Sequence, residues 1–113
     1  MKREFKDYFI DLMDSINKIE EFTEGMEYND FLKDNKTIFA CVRAIEIMGE
    51  AVKNIPEYVK EENKEIPWKK IYGIRNKLIH EYFGVEPEVV WITIKEDIPL
   101  IKPYIMEILE ELD

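Results

Sequence analysis

Cysteine occurs once in the 113 residues, at Cys41, and histidine once, at His80. A single thiol excludes an intramolecular disulfide and a cysteine-based zinc cluster. A single imidazole excludes a multi-histidine metal site, or a His/His acid–base pair, within one chain. Glycine is confined to positions 25, 49, 73 and 84, so there is no glycine-rich phosphate loop, and the metalloprotease pattern H-E-x-x-H is missing. No run of about 18 apolar residues is present, which argues against a membrane span. The charged start Met1-Lys2-Arg3-Glu4 is no secretory leader. Internal repeats, low-complexity stretches and Pro/Gly/Ser-rich linkers are likewise missing. These absences lead to the expectation of a cytoplasmic, soluble domain that uses no metal and no cofactor.

What is present is 46% hydrophobic and 36% charged, the balance of a folded chain rather than a disordered one. The length suits one domain spanning 1–113, since a single core typically takes about 100–150 residues. Sixteen Lys and Arg against 25 Asp and Glu give a net charge of -9, which at first sight repels nucleic acid. The distribution matters more than the sum. Trp68 to His80 reads WKKIYGIRNKLIH, with Lys69, Lys70, Arg75 and Lys77 and no acid. One basic island therefore sits in an acidic protein, and it holds the only histidine.

The apolar spacing predicts helices throughout. Phe5, Tyr8, Phe9, Leu12, Ile16, Ile19 and Phe22 form one stripe over about Arg3 to Thr23, with Gly25 as the stop. Tyr28 to Asp34 suits a short helical turn. A second long helix is expected over about Lys36 to Asn54, with Ile38, Cys41, Val42, Ile45, Met48, Val52 and Ile55 inward and Pro56 ending it. Residues 56–66 read as a connection with at most one helical turn. A third helix starts at Pro67, carries Trp68, Ile71, Leu78 and Ile79, and ends near Tyr82 to Gly84. Pro87 opens a fourth. Pro99 lacks an N–H and clashes with the carbonyl of Lys95, so a kink or break is expected there. The last stretch, Ile101 to Leu112, is amphipathic again. The expected fold is an all-α, up-and-down antiparallel four-helix bundle with short extra helices.

Arg75, His80 and Tyr82 form the pattern R-x4-H-x-Y. Arg75 and Tyr82 are seven residues apart and share a helix face, whereas His80 lies ~140° from Arg75 on an ideal helix. The chemistry suits a phosphodiester. Arginine presents a planar fork of N–H donors to phosphate oxygens, and histidine moves a proton near neutral pH. Asn76 adds a neutral donor and acceptor beside Arg75. A second account stays open from spacing alone: Arg75 paired with a surface acid, His80 half-buried and satisfied, Tyr82 in the core. Arg43 and Glu46 read as a helix-stabilising i, i+3 pair, and Cys41 as a small buried hydrophobe. The adjacent acids Glu20/Glu21, Glu61/Glu62 and Glu110/Glu111 point to different helix faces and read as solvated surface.

The segment RNKLIHEYFG, from Arg75 to Gly84, resembles the signature of the HepT-like toxins, a branch of the HEPN ribonuclease superfamily. The resemblance extends to VRAIEIMGEAVKNIP, IPWKKIYGIRNKLIHEYFGV and VVWITIKEDIPLIKPYI, in order and over nearly the whole chain. It implies a dimeric HEPN-like helical fold and metal-independent cleavage of RNA, with Arg75 and His80 catalytic and Asn76 supporting them. Lys69, Lys70 and Lys77 of the basic island are the matching candidates for RNA binding. The resemblance also implies a type VII-like toxin–antitoxin pair, in which an MntA-like nucleotidyltransferase antitoxin transfers AMP to Tyr82. A homodimer would bring two copies of His80 and Arg75 to one cleft, which removes the single-histidine objection. Two functions stand against each other: an endoribonuclease toxin, or a non-catalytic substrate-binding or regulatory subunit of a nucleotidyltransferase.

Overall fold

Phe9, Leu12, Ile16 and Ile19 recur at spacings of three and four residues, and all four are at 0% exposure on α1 (Phe5–Phe22). They are the first face of the core. The computed structural model describes residues 4–73 and 86–112, and all regular structure among the described residues is helical. Helix α1 begins with a reciprocal cap in which the Glu4 N–H donates to Asp7 Oδ2 at 3.1 Å. This satisfies a backbone donor that the first turn leaves free.

Helix α2 (Tyr28–Leu32) repeats the device, with the Glu27 N–H donating to Asp30 Oδ2 at 2.9 Å. It is only five residues long, yet it carries Phe31 into the core at 0% exposure. The Phe31 ring lies 5.1 Å from that of Trp91, and Tyr28 lies 6.1 Å from the same indole. Helix α3 (Asn35–Asn54) is capped by Asp34, whose carboxylate accepts from the Thr37 N–H at 3.0 Å and the Thr37 hydroxyl at 2.7 Å. Those two bonds, the backbone one first, hold the Asp34 carboxyl below its ordinary value. Ile38, Cys41, Ile45, Met48 and Val52 of α3 are buried, as the spacing predicts, followed by Ile55, while Val42 is half-buried.

Pro56 ends α3 and opens α4 (Glu57–Glu62), which buries Val59. Residues 68–73, here α5, are helical up to the edge of the described chain. The chain is described again from Glu86, before α6 (Pro87–Ile92). Helix α1 packs against α3 and α7 (Ile98–Leu112), and α2 packs against α3 and α6.

Three expectations need correction. Of the kink or break expected at Pro99, the break does not occur. Helical structure runs from Pro87 to Leu112 through a π turn at Thr93–Asp97, in which the Ile98 N–H donates to the Thr93 carbonyl. The wider turn immediately before Pro99 relieves the clash that an α-helical register would impose. Phe22 does not continue the buried stripe, being 38% exposed. Thr23 is buried in its place, and its hydroxyl donates to the Ile19 carbonyl at 2.8 Å. The helix stop also falls differently: Thr23 is the C-cap, and the left-handed residue is Gly25, two positions on, with φ of 75°. The expected course of the third helix beyond residue 73, with Leu78, Ile79 and its end near Tyr82 to Gly84, lies outside the described residues.

Cys41 is buried at 0% exposure, and burial pushes its thiol up to about 11. The nucleophile is the thiolate, so Cys41 in the native protein is expected to resist a disulfide reagent at pH 8 and to react at once in denaturant. The stabilising contribution of the protonated thiol is fully present below its ordinary value near 9 and is lost as pH rises through about 11. Native labelling as fast as unfolded labelling would contradict this burial.

Candidate functional site

The candidate catalytic residues follow α5 in the chain, so the anchoring of α5 sets where that segment begins. Trp68 opens the helix with its ring 6.1 Å from Phe9, edge to face at 70°. Its Nε1–H donates to the Asn63 carbonyl at 3.0 Å, giving a half-buried indole both an apolar body and a satisfied polar tip. Asn63 is itself held by Nδ2 donating to the Val59 carbonyl at 2.9 Å. Ile66 and Ile71, on either side of Trp68, are buried at 1% and 5% exposure. This part of the sequence, IPWKKI, thus fixes the start of α5 to α1 and α4.

A second tie comes from the far end of the chain. Lys70 Nζ lies 2.8 Å from Asp97 Oδ1, on the π turn. The hydrogen bond to Asp97, and then its charge, raise the Lys70 ammonium above its ordinary value. Lys70 is more than half exposed, so the pair counts for direction more than for energy. Two residues back, Lys95 Nζ sits 4.6 Å over the Trp91 ring, a cation–π contact that holds the π turn to the aromatic cluster of α2.

Lys69 and Lys70, two of the residues singled out from the sequence, both line an open groove of about 910 Å³ between α3, α4 and α5. Lys53, Lys60 and Lys64 line the same groove. Lys60 and Lys64 were not expected there because residues 56–66 read as a connection, and Lys53 because it falls at the end of the second long helix, outside the basic island. The four-residue step from Lys60 to Lys64 was the available signal. A smaller apolar cavity of about 130 Å³, between Ile45, Met48, Ile71, Ile98 and Ile101, also touches the Lys70–Asp97 pair. Arg43 pairs with Glu46 at 3.3 Å on the exposed side of α3, in keeping with a structural role.

Arg75, Asn76, Lys77, His80 and Tyr82 lie outside the described residues. Among the described residues no group of three or more His, Cys, Asp or Glu could hold a metal ion, and no helix is long and apolar enough to cross a membrane.

The match to known proteins covers both the anchored lead-in and the segment that holds the candidate catalytic residues. The model of the family described as ribonuclease HepT-like matches residues 12–108. The chain belongs to the HepT-like ribonuclease family. Similar to it is a protein of Thermococcus cleftensis named probable ribonuclease HepT, 54% identical over 102 residues, which are 90% of this chain and 93% of that one. A candidate RNase of Methanocaldococcus jannaschii is 40% identical over 112 residues, 99% of this chain and 93% of its own. A candidate RNase of Caldanaerobacter subterraneus is 46% identical over 91 residues, 80% of this chain and 81% of its own. No solved structure matches the HepT-like chain.

Trp68→Phe keeps the ring on Phe9 but removes the Nε1 donor. The Asn63 carbonyl still accepts from the Ile66 N–H at 3.2 Å, so no buried acceptor is stranded. A loss of about 1 kcal/mol in urea denaturation is expected. No measurable loss would mean that the indole hydrogen bond does not hold α5.

Proposed function

We propose that this HepT-like chain is a metal-independent endoribonuclease, a toxin that works as a homodimer and is silenced by a nucleotidyltransferase antitoxin. The observation that carries this reading is the family match across 12–108 together with an R-x4-H-x-Y pattern complete at Arg75, His80 and Tyr82. We read the chain as one HEPN-like domain over 1–113, an up-and-down four-helix bundle with α2 and α4 as short additions. Anchoring of α5 by Trp68 and Lys70 supports the reading, since a catalytic segment needs a fixed origin.

The mechanism follows from the residue types. Cleavage by the neighbouring 2′-OH needs a base to take its proton and an acid to protonate the departing 5′-oxygen. In a dimer, one His80 serves as base and the His80 of the second copy as acid. The Arg75 guanidinium meets the charge that builds on the phosphorane oxygens, where a donor lowers the barrier most. Asn76 orients the scissile phosphate. Tyr82 carries its hydroxyl far from the backbone, within reach of an MntA-like enzyme. AMP joined there brings one phosphodiester charge to the donors meant for RNA, together with the bulk of an adenosine.

His80→Ala and Arg75→Ala are each expected to lower RNA cleavage by roughly 10²–10⁴ with helical circular dichroism unchanged, and cleavage by the parent protein is expected to persist in chelator. Wild-type rates in either variant would remove that residue from catalysis, and chelator-sensitive cleavage would require a metal. For silencing, co-expression with the nucleotidyltransferase is expected to add AMP mass to the Tyr82 peptide. Tyr82→Phe is expected to stay toxic despite the partner. Full neutralisation of that variant would make complex formation, not modification, the switch.

A further inference from the structure

The groove between α3, α4 and α5 carries more positive charge than the protein as a whole would suggest. Its described lining holds five lysines against Glu57 and Glu61, in a chain of net charge -9. Two of the five are engaged: Lys70 with Asp97 at 2.8 Å, and Lys60 with Glu57 at 3.7 Å. Lys53, Lys64 and Lys69 are exposed and form no ion pair among the described residues. Lys53 lies in the last turn of α3, Lys64 just beyond α4 and Lys69 in the first turn of α5. Three separate parts of the chain therefore each bring to the same depression one ammonium that has no carboxylate partner among the described residues. Trp68 and Tyr72, both half-buried, line it as well. The groove reaches Gly73, two residues before Arg75.

We propose that this groove holds the phosphate backbone of single-stranded RNA on its way to the catalytic segment, with Lys53 and Lys64 as backbone contacts beyond the basic island. The inference rests on the ribonuclease reading and extends it to the path of the substrate. A cationic groove interleaved with aromatic rings is the usual form of a sequence-tolerant single-strand site. Its volume is at the upper end of the ~300–1,000 Å³ range of ligand pockets, room for a run of nucleotides rather than one side chain. An acidic body around a cationic track also repels the phosphate chain everywhere else, so that charge directs the strand as well as attracting it. Lysines at phosphates confer no base preference, in keeping with a chain that carries no base-reading motif.

The test uses a labelled 2′-O-methyl oligouridylate of about 16 nucleotides, which lacks the 2′-OH and so is bound without being cut. Affinity is measured against salt for the wild-type protein, for Lys53→Ala/Lys64→Ala, and for Lys33→Ala/Lys36→Ala away from the groove. Each lost phosphate contact on a single strand removes about 0.7 from the slope of log K against log salt. The groove variant is expected to bind about tenfold or more weakly near 0.1 M salt, with the slope shallower by about 1.4. Lys53→Arg/Lys64→Arg is expected to restore both, and the Lys33/Lys36 variant to match wild type.

A groove variant with wild-type affinity and slope overturns the proposal while leaving cleavage at Arg75 and His80 untouched. Loss of nucleotidyltransferase co-purification with RNA binding intact also overturns it, and would make the groove a protein-docking surface. Loss of binding in the groove variant of a protein that cuts no RNA would uphold the track and reject the ribonuclease reading.

Discussion

Pro99 has no N–H to give, and in an α-helical register its ring would strike the carbonyl of Lys95, a combination that costs about 3 kcal/mol in a helix interior. The chain meets this constraint by widening the preceding turn, Thr93–Asp97, rather than by breaking the helix. Much of the site's scaffolding depends on that choice. Because the helix continues, Val90, Ile94, Ile98, Ile101, Ile105 and Ile108 remain one buried row. On the π turn itself, Asp97 meets Lys70 and Lys95 caps Trp91. The proline thus places, at one point of the fold, a carboxylate for α5 and a cation for the aromatic cluster under α2.

Helix α5 leads into the segment that holds the candidate catalytic residues. Its first turn is held from one side by Phe9 and Asn63 through Trp68, and from another by Asp97 through Lys70. Neither tie alone is strong. An exposed ion pair contributes little net energy, and a single neutral hydrogen bond about 1 kcal/mol. Together they tie the start of α5 to two different parts of the chain, residues 9 and 63 on one hand and residue 97 on the other. Lys69, which forms no ion pair among the described residues, lines an open groove, so the electrostatics of α5 divide between one structural pair and one ammonium available to an anion.

Much of the fold was legible in the sequence because the apolar periods are long and clean. Ile38, Cys41, Ile45, Met48 and Val52 on α3, and Phe9, Leu12, Ile16 and Ile19 on α1, are buried as spacing predicts. Shorter elements were harder to read. Phe31 belongs to a five-residue helix with too few positions to show a period, and its burial depends on Trp91, sixty residues away. The outcome at Pro99 was hidden for a different reason: the steric conflict was visible, but a break and a π turn both relieve it, and the local sequence does not distinguish them. At the site, the R-x4-H-x-Y pattern was legible because chemistry fixes its residue types. Lys53, Lys60 and Lys64 were not, because only the folding of α3, α4 and α5 toward one another brings them to a single groove.

The central claim is that Arg75 and His80 direct the RNA's own 2′-OH at the neighbouring phosphorus. The direct measurement is the chemistry of the cut ends left by the purified protein in chelator, on an RNA with one 2′-deoxy nucleotide at an otherwise cleaved linkage. The account predicts 2′,3′-cyclic phosphate at every cut and no cut at the deoxy linkage. Cleavage at the deoxy linkage, or fragments ending in 5′-phosphate and 3′-hydroxyl, would contradict it.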